Sequence, residues 1–246
     1  MNYKEVEAVR IAIDLVLLAI IIIAVWSGYR KGLILGVANL LGILAALYAA
    51  VLVSSAFSYD VVPVLKPFVS GYMDRQMNDV VLENMGMEST DLSYEDILAE
   101  DATLRHEFCA ESFRSVGIYG DAAEQMATEA ETYADTNGAA VTEAVVQVLC
   151  ERVCYVAGVT LMFLIFLIAL MTIANIPNLS YRIPNMDLLN DAGGAVMGLI
   201  NGVCYCCLAA WLLRFLGLII GMDTFESTLL ARFFHSIDII TAGVGI

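Results

Sequence analysis

The sequence predicts an all-α membrane protein with four transmembrane helices, arranged as two hairpins, and a helical insert outside the membrane. Three observations lead to this fold class. Hydrophobic residues make up 60% of the 246 residues and charged residues only 16%, whereas soluble domains have about 45–50% and 25%. Four apolar runs approach the roughly 20 residues that a bilayer-spanning helix needs. The acidic residues are concentrated in one stretch between the second and third runs.

The four apolar runs define the predicted spans. The first is short for a bilayer, so neighbouring residues are expected to extend it, and the third contains no charged residue inside the membrane. In order, the spans are Ile11–Trp26, Leu33–Val53, Val153–Ile176 and Ala192–Leu213. The apolar segment with Pro63 and Pro67 is expected to lie at the membrane interface, because prolines and charges interrupt it. Phe215–Met222 is expected either to continue the fourth span or to form a short interfacial tail, and Glu226–Ile240 is predicted to be an amphipathic surface helix.

The middle of the chain is predicted to be an acidic insert exposed to water. Residues 60–152 contain 19 acidic and 5 basic residues, a net charge of −14, which leaves −1 for the rest of the chain. Two to four amphipathic helices are expected between Asp74 and Glu151, with turns near Gly86, Gly117 and Gly138. The predicted segments are therefore a first transmembrane hairpin (1–58), the insert (59–152) and a second hairpin with the amphipathic helix (153–246). Such an acidic insert repels phosphate backbones, so no nucleic acid partner is expected.

The basic residues of the short loops predict the orientation in the membrane. Arg30 and Lys31 are the only adjacent basic pair, and short loops rich in Lys and Arg face the cytoplasm. Arg182 places the loop after the third span, Pro177–Asp191, on the same side. The insert and both termini are then expected to be extracytoplasmic, although Lys4 and Arg10 favour the opposite orientation of the N-terminus.

Two series of glycines at four-residue spacing predict close helix packing. Gly28, Gly32 and Gly36 surround the basic pair, and they form one stripe without side chains if that stretch is helical. Within the fourth span, the same spacing recurs at Gly194, Gly198 and Gly202. Glycine lets helix backbones approach each other in a bilayer. Packing within one chain is one interpretation, and a seam between copies in a homo-oligomer or a pore lining is the other.

A few polar residues are predicted within the apolar runs. A carboxylate inside a membrane usually faces a cavity or a partner, so Asp14 is a candidate functional residue, and solvation at the membrane surface is the alternative. Arg214, at the end of the fourth span, is its most plausible charge partner, with a direct ion pair as one hypothesis. Asn39 and Asn201, with Tyr205, are interpreted as interhelical hydrogen-bonding groups.

No catalytic, metal or cofactor site is predicted. The two histidines lie far apart in sequence, and no Ser, Cys and His form a nucleophile–base arrangement. The six cysteines lack the ordered ligand spacing of a metal site. Three of them, Cys204, Cys206 and Cys207, fall inside an apolar run, where Cys behaves as a small hydrophobic residue. The lipid bilayer is an expected partner of such a chain.

The sequence resembles the colicin V production protein family of bacterial inner-membrane proteins. The resemblance rests on Asp14, on the turn from Gly28 to Gly32 with Gly36, on the run Asn190–Gly202, and on the four-span layout; it covers roughly Ile11–Val53 and Val153–Leu213. Asn201 stands where the family often has a basic residue, and the insert has no counterpart. The resemblance implies a non-enzymatic inner-membrane protein that supports toxin production, secretion or envelope homeostasis through unidentified envelope or secretion partners. The alternative is a small oligomeric channel or transporter with glycine-lined helices and Asp14 near its mouth.

Overall fold

Among the residues that the computed structural model describes, every regular element is helical. The model describes residues 3–86, 98, 101–118, 120–175, 186–215 and 228–236. We number the helices in chain order and list them here: α1 Tyr3–Lys31, α2 Leu33–Gln76, α3 Ala102–Ser115, α4 Gly120–Asn137, α5 Val141–Asn175, α6 Asp187–Leu213 and α7 Leu229–Ser236. A π-helical turn at Met77–Val81 and a last α turn at Leu82–Asn84 continue α2.

Among the described residues, four helices are long and apolar enough to span a membrane, which is the number that the sequence predicts. They contain the segments Glu7–Lys31, Leu33–Asn84, Val141–Ile173 and Asp187–Leu213. Each helix extends beyond the apolar run that predicted it. Hydrogen bonding within a helix does not stop where hydrophobicity stops, so polar residues continue the same helix until a turn residue ends it.

The segment with Pro63 and Pro67 is not a separate element, because it continues the helix of the second span. Pro63 and Pro67 lie inside the continuous helix Leu33–Gln76. A proline in a helix interior costs about 3 kcal/mol, and burial of neighbouring apolar side chains contributes in the opposite direction. Val62 is only 4% exposed, and Leu65 packs against the same hydrophobic core.

The described chain forms two compact units. The residues of the first, which we call the membrane unit, fall within Met1–Ser55, Ala157–Leu213 and Asp223–Ile246. Those of the second, the insert unit, fall within Ala56–Val156 and Arg214–Met222. The three predicted segments, with boundaries at 58 and 152, remain a prediction.

The membrane unit exposes large apolar side chains in the manner of a protein surrounded by lipid. On α1, Leu15 is 59% exposed, Ile22 is 56% and Trp26 is 64%. Soluble proteins rarely expose apolar patches this continuous. Within the unit, α1 packs along α6, and α7 packs against both of these helices.

The insert unit has a hydrophobic core of its own. Phe108 and Phe113 on α3 are fully buried, and they share the core with Met126 on α4 and Val145 on α5. Alanines at 122, 123, 127, 130 and 134 form the buried face of α4. The glycines at 86, 117 and 138 have φ angles of 70°, 84° and 62°, and all three lie where the sequence predicts turns.

Candidate functional site

The backbones of α1 and α6 come into direct contact at glycines of both series. A Cβ atom on Gly28 would lie 2.3 Å from the Gly194 carbonyl oxygen and 2.6 Å from the Gly198 Cα atom. Conversely, a Cβ atom on Gly198 would lie 2.4 Å from the carbonyl oxygen of Ala24. Real Cβ atoms essentially never approach other atoms this closely. The structure therefore leaves no room for a side chain at these positions.

The link between α1 and α2 contacts α6 through a buried asparagine. Gly32 has φ +85°, a left-handed conformation that glycine adopts without steric penalty. The Leu33 backbone N–H donates to Asn190 Oδ1 at 3.2 Å, and Asn190 is 1% exposed. Because the first N–H groups of a helix have no partner within it, Asn190 caps α2 from a helix 157 residues away in sequence.

One polar contact joins α2 and α6 deeper in the unit. Asn201 is 5% exposed, and its Nδ2 donates to the Gly36 carbonyl oxygen at 3.2 Å. A Cβ atom on Gly36 would lie 2.6 Å from the Met197 Cβ atom. The last glycine of the second series, Gly202, lies beside Ile21 and Ala24 of α1.

The three glycines around the basic pair do not share one helix. Gly28 lies in α1, Gly32 links the two helices and Gly36 lies in α2. The prediction that one helix contains all three glycines is therefore wrong, because α1 ends at Gly32, which has a left-handed conformation. The three residues nevertheless all contact α6, by reaching it from three consecutive parts of the chain.

A cavity of about 400 Å³ lies within the membrane unit. It combines an apolar lining with amide, hydroxyl and ammonium groups, and its lining residues are Ile20, Ile23, Ala24, Ser27, Gly28, Lys31, Asn39, Met171, Asn201 and Tyr205. A neighbouring groove of about 540 Å³ shares Ile23, Ser27 and Lys31 and adds Trp26 and Arg30. The structure thus brings the predicted polar residues Asn39 and Asn201 and the topology residues Arg30 and Lys31 to two adjoining spaces.

Asp14 caps the short helix α7. Its Oδ1 accepts from the Leu230 backbone N–H at 3.0 Å, and its Oδ2 is 3.4 Å from the Leu229 backbone nitrogen. A carboxylate is favourable at a helix N-terminus, because unpaired N–H groups and the helix dipole make that end positive. The side chain therefore has a structural partner inside the membrane unit, at the start of the predicted amphipathic helix.

Arg214 has its partner in the insert unit. It forms an ion pair with Asp121, in the first turn of α4. The ion pair proposed from sequence between Asp14 and Arg214 thus differs from what the structure shows, in which each residue has another partner. The signal that sequence reasoning missed was Asp121 itself, which lies 93 residues from Arg214 and among many other acidic residues.

Of the residues that predict the topology, the structure describes Arg30 and Lys31 but not Arg182. Arg30 and Lys31 form the last turn of α1 and precede the turn residue at Gly32, rather than lying in a free turn. Cations are favourable at the C-terminal end of a helix, which gives both residues a local role besides orientation. Arg182 and most of its predicted loop lie outside the described residues, and Asp187–Asp191 belongs to α6 instead of that loop.

A charged network joins α3 and α4 in the insert unit. His106 lies 2.9 Å from Glu124 Oε2 and 3.0 Å from Glu131 Oε2. Hydrogen bonds to Glu131 and then to Glu124 raise the pKa of His106. The hydrogen bond to His106 lowers the pKa of Glu124. Arg114 pairs with Glu124, and Arg105 pairs with Glu131 and Asp135. The spacing of these charges in the sequence does not indicate that they are paired.

A second close contact between helices involves a glycine that belongs to neither of the two glycine series. A Cβ atom on Gly158 of α5 would lie 2.5 Å from Ser54 Oγ on α2. Ser54 is 3% exposed. Small residues at interfaces between membrane helices allow such contacts, but an isolated glycine has no repeated spacing that would single it out in a sequence.

The cysteines do not form a site in the described part of the chain. All six are free, and no three His, Cys, Asp or Glu side chains of the described residues are grouped so that they could hold a metal ion. Cys109 is fully buried, and burial raises the pKa of its thiol to about 12. The thiol is therefore protonated and unreactive at neutral pH.

Fold and site together define a helical membrane protein in which close backbone contacts join the spans. The family model described as Colicin V production protein matches residues 13–81, which covers most of α1 and all of α2. This match confirms the resemblance predicted from Asp14, Gly28, Gly32 and Gly36, and it continues beyond the predicted limit at Val53. No curated protein and no solved structure matches the chain.

Proposed function

We propose that the protein is a non-enzymatic, integral protein of a bacterial inner membrane. It supports toxin production or secretion, or envelope homeostasis, by positioning partner proteins. The observation that carries this proposal is the match of residues 13–81 to the colicin V production family, together with four helices long enough to span a bilayer.

The glycine contacts support a scaffold in preference to a pore. Gly28 and Gly36 face α6, and Gly194 and Gly198 face the backbone from Ala24 to Gly32. Both predicted glycine series are thus used for packing within one chain, which we propose as their role. A rigid group of helices whose exposed apolar surface faces lipid suits a protein that holds partners in place.

A genetic experiment tests the proposed role. The chain is expressed in a colicin V-producing bacterium that lacks its own member of the family, and toxin release is measured by growth inhibition of a sensitive strain. We expect this chain to restore release, and the variant Gly198→Leu to restore much less at equal membrane abundance. Leu199→Ile, the neighbouring conservative change, should behave as the parent. Failure of the parent chain, despite normal insertion, would argue against a role in toxin release.

A small oligomeric channel or transporter is the second candidate. The cavity of about 400 Å³ with Lys31, Asn39 and Asn201 in its lining favours it, because polar groups inside a membrane often mark a pathway. The engagement of Asp14 with the start of α7 speaks against a free charge at a mouth. Purified protein in liposomes distinguishes the candidates: selective ion or solute flux that the variant Asn39→Leu abolishes would favour transport, and its absence the scaffold.

A further inference from the structure

The part of α2 that belongs to the insert unit exposes a continuous row of apolar side chains, which we call the α2 stripe. Phe57 is 63% exposed, Val64 is 69% and Phe68 is 76%. Other residues of the same helix, such as Val62 and Met73, are buried in the core of the insert unit. Large apolar patches are rare on surfaces that face water, and they mark places where a partner binds.

The spacing of the α2 stripe matches that of a coiled-coil seam. From its first residue, exposed positions recur at intervals of four, three, four, three and four residues, which is the alternation of d and a positions in a heptad repeat. The d positions are Phe57, Val64 and Gly71, and the a positions are Val61, Phe68 and Arg75, all of them exposed. A helix with such a seam pairs with another helix, because its side chains fit between those of the partner.

Lipid cannot cover most of the α2 stripe. The helix begins at Leu33, and Phe68 lies 35 residues further along the chain. At 1.5 Å per residue this is about 52 Å along the helix axis, and still about 40 Å across the bilayer at a steep tilt of about 40°. The hydrocarbon core is only about 30 Å thick. The outer part of the α2 stripe therefore requires a protein surface to cover it.

A second copy of the chain fits the α2 stripe in shape. Copies inserted in one membrane have the same orientation, so their α2 helices run parallel and equal positions face each other. In that register, Phe68 packs between Val64 and Gly71 of the second copy. A Cβ atom on Gly71 would meet nothing within 4 Å, so there is open space for the ring. Alternation of large and small side chains is what lets facing helices interdigitate.

The charged end of the α2 stripe is complementary to itself. In a parallel pair, the side chain at an a position lies beside the preceding g residue of the other helix. Arg75 at its a position therefore lies beside Asp74 of the second copy, and the symmetry of the pair forms this contact twice. Both residues are exposed in the single chain. A charged residue at one a position also fixes the register of the two helices.

The area of the α2 stripe is suited to a reversible pair. Phe57 and Phe68 are 63% and 76% exposed, and an aromatic side chain buries about 150–250 Å², so the two rings offer about 200–350 Å² per copy. With the valines and Tyr72, the pair approaches the total of about 1,000 Å² at which specific interfaces begin. A membrane that holds both copies in one plane raises their effective concentration, which favours the pair further.

We propose that the protein forms a parallel homodimer through the α2 stripe, from Phe57 to Arg75. The glycine contacts between α1 and α6 hold each copy together, and the α2 stripe joins the two copies outside the hydrocarbon core. This inference depends on the exposed face of α2 and not on the proposed role in toxin production.

Cysteine cross-linking in isolated membranes tests the surface. Val64→Cys places a thiol at a d position, where equal residues of the two copies meet, and copper phenanthroline oxidises neighbouring thiols to a disulfide. We expect most of this variant to form a covalent dimer. Tyr59→Cys is the matched control, because Tyr59 is 67% exposed on the same helix but lies on another face. It should form at least fivefold less dimer, and the parent with its six native cysteines sets the baseline.

Three outcomes of this comparison would overturn the proposal. Equal dimer yields at positions 59 and 64 would indicate random collision. A cross-link from position 64 only to a different protein would assign the α2 stripe to that protein. Protection of the thiol at position 64 from a maleimide, without any covalent dimer, would show that the stripe is covered within one chain.

An exchange of charges tests the register. Asp74→Arg and Arg75→Asp each bring like charges together across the pair, and each should lower the cross-linked fraction at position 64 at least threefold. The double variant with both changes restores opposite charges and should restore the cross-link. Because both side chains are exposed, all three variants should melt as the parent does. A cross-link that none of them alters would overturn the parallel register, and the comparison of positions 59 and 64 decides the proposal if a charge variant does not fold.

Discussion

At the scale of single residues, the contact between α1 and α6 depends on the absence of side chains at its glycines. Lipid tails are as apolar as leucine side chains, so helices in a bilayer gain little from burying apolar surface against each other and depend on close packing. Gly194 and Gly198 allow the α1 backbone to come within contact distance of the α6 backbone. A methyl group at either position would collide with a carbonyl oxygen, which cannot move out of the way as the end of a flexible side chain can.

The glycine contact predicts a sharp difference between two alanine substitutions. Gly198→Ala places a Cβ atom 2.4 Å from the Ala24 carbonyl oxygen, whereas a Cβ atom on Gly42 meets nothing within 4 Å. We expect Gly198→Ala to destabilise the protein by about 1–3 kcal/mol, the usual penalty of overpacking. Gly42→Ala should be neutral or stabilising by up to about 1 kcal/mol, because alanine favours helix. Melting of both purified variants in the same detergent measures the difference, and equal melting temperatures would contradict close packing at Gly198.

At the scale of the helices, sequence reasoning located the spans but not their ends. Apolar runs predict membrane segments well, because the bilayer selects for composition as well as pattern. The first turns of α5, which contain Glu143 and Glu151, fall within the predicted insert, although they continue into the third span without a break. The capping of α2 by Asn190 could not be predicted from the sequence either, because a cap from another helix leaves no signal near the capped residue.

The candidate site was predictable in its residue types and not in its pairings. Gly28, Gly32 and Gly36 lie against α6, and a four-residue glycine spacing is the pattern that predicts close helix packing in membranes. The partners of Asp14 and Arg214 depend on which helices meet, and a sequence without known contacts offers many candidates for each charge. The cavity could not be predicted from the sequence, because it forms where side chains of several helices leave space unfilled.

Helices α3 and α4 are joined by a charged contact that responds to pH, and we call this contact between His106, Glu124 and Glu131 the seam. His106 has Glu124 and Glu131 facing it across the seam, with Arg105, Arg114 and Asp135 around them. The two carboxylates raise the pKa of His106 above its ordinary value of 6.5. The protonated form therefore stabilises the seam fully below about pH 6.5, and this contribution is lost as the pH rises through the higher folded-state pKa.

We expect the seam to loosen as the pH rises above 6.5, the ordinary pKa of histidine, and passes through the higher pKa of His106 in the folded protein. Hydrogen exchange of α3 and α4 in the full-length protein, corrected for the intrinsic pH dependence of exchange, should become faster as the pH rises. The imidazole is partly exposed, so the effect should resemble that of surface ion pairs, about 0.2–1 kcal/mol. His106→Gln should remove the pH dependence, and α6 should show none. A parent protein whose exchange in α3 and α4 is independent of pH would contradict this role for His106.

At the scale of the whole molecule, function depends on which side of the membrane each part occupies. The short connection between α1 and α2 has the adjacent basic pair Arg30 and Lys31, whereas residues 60–152 have a net charge of −14. Cytoplasmic retention follows the Lys and Arg residues of short loops, while long acidic segments contribute little to orientation. We therefore expect the basic pair in the cytoplasm, the insert outside and both termini outside. In that orientation the insert unit would be the part available to envelope partners.

Cysteine labelling of intact cells tests the orientation. Single cysteines replace Arg30 or Gln125, both exposed, in a background from which the six native cysteines have been removed. A membrane-impermeant thiol reagent should label position 125 in intact cells and position 30 only after the membrane is opened. Because removal of Arg30 weakens the orienting charge itself, a cysteine at exposed Tyr29 serves as the control that keeps both basic residues. Labelling of positions 29 and 30 in intact cells, with protection of position 125, would reverse the topology and direct the insert, and the search for its partners, to the cytoplasm.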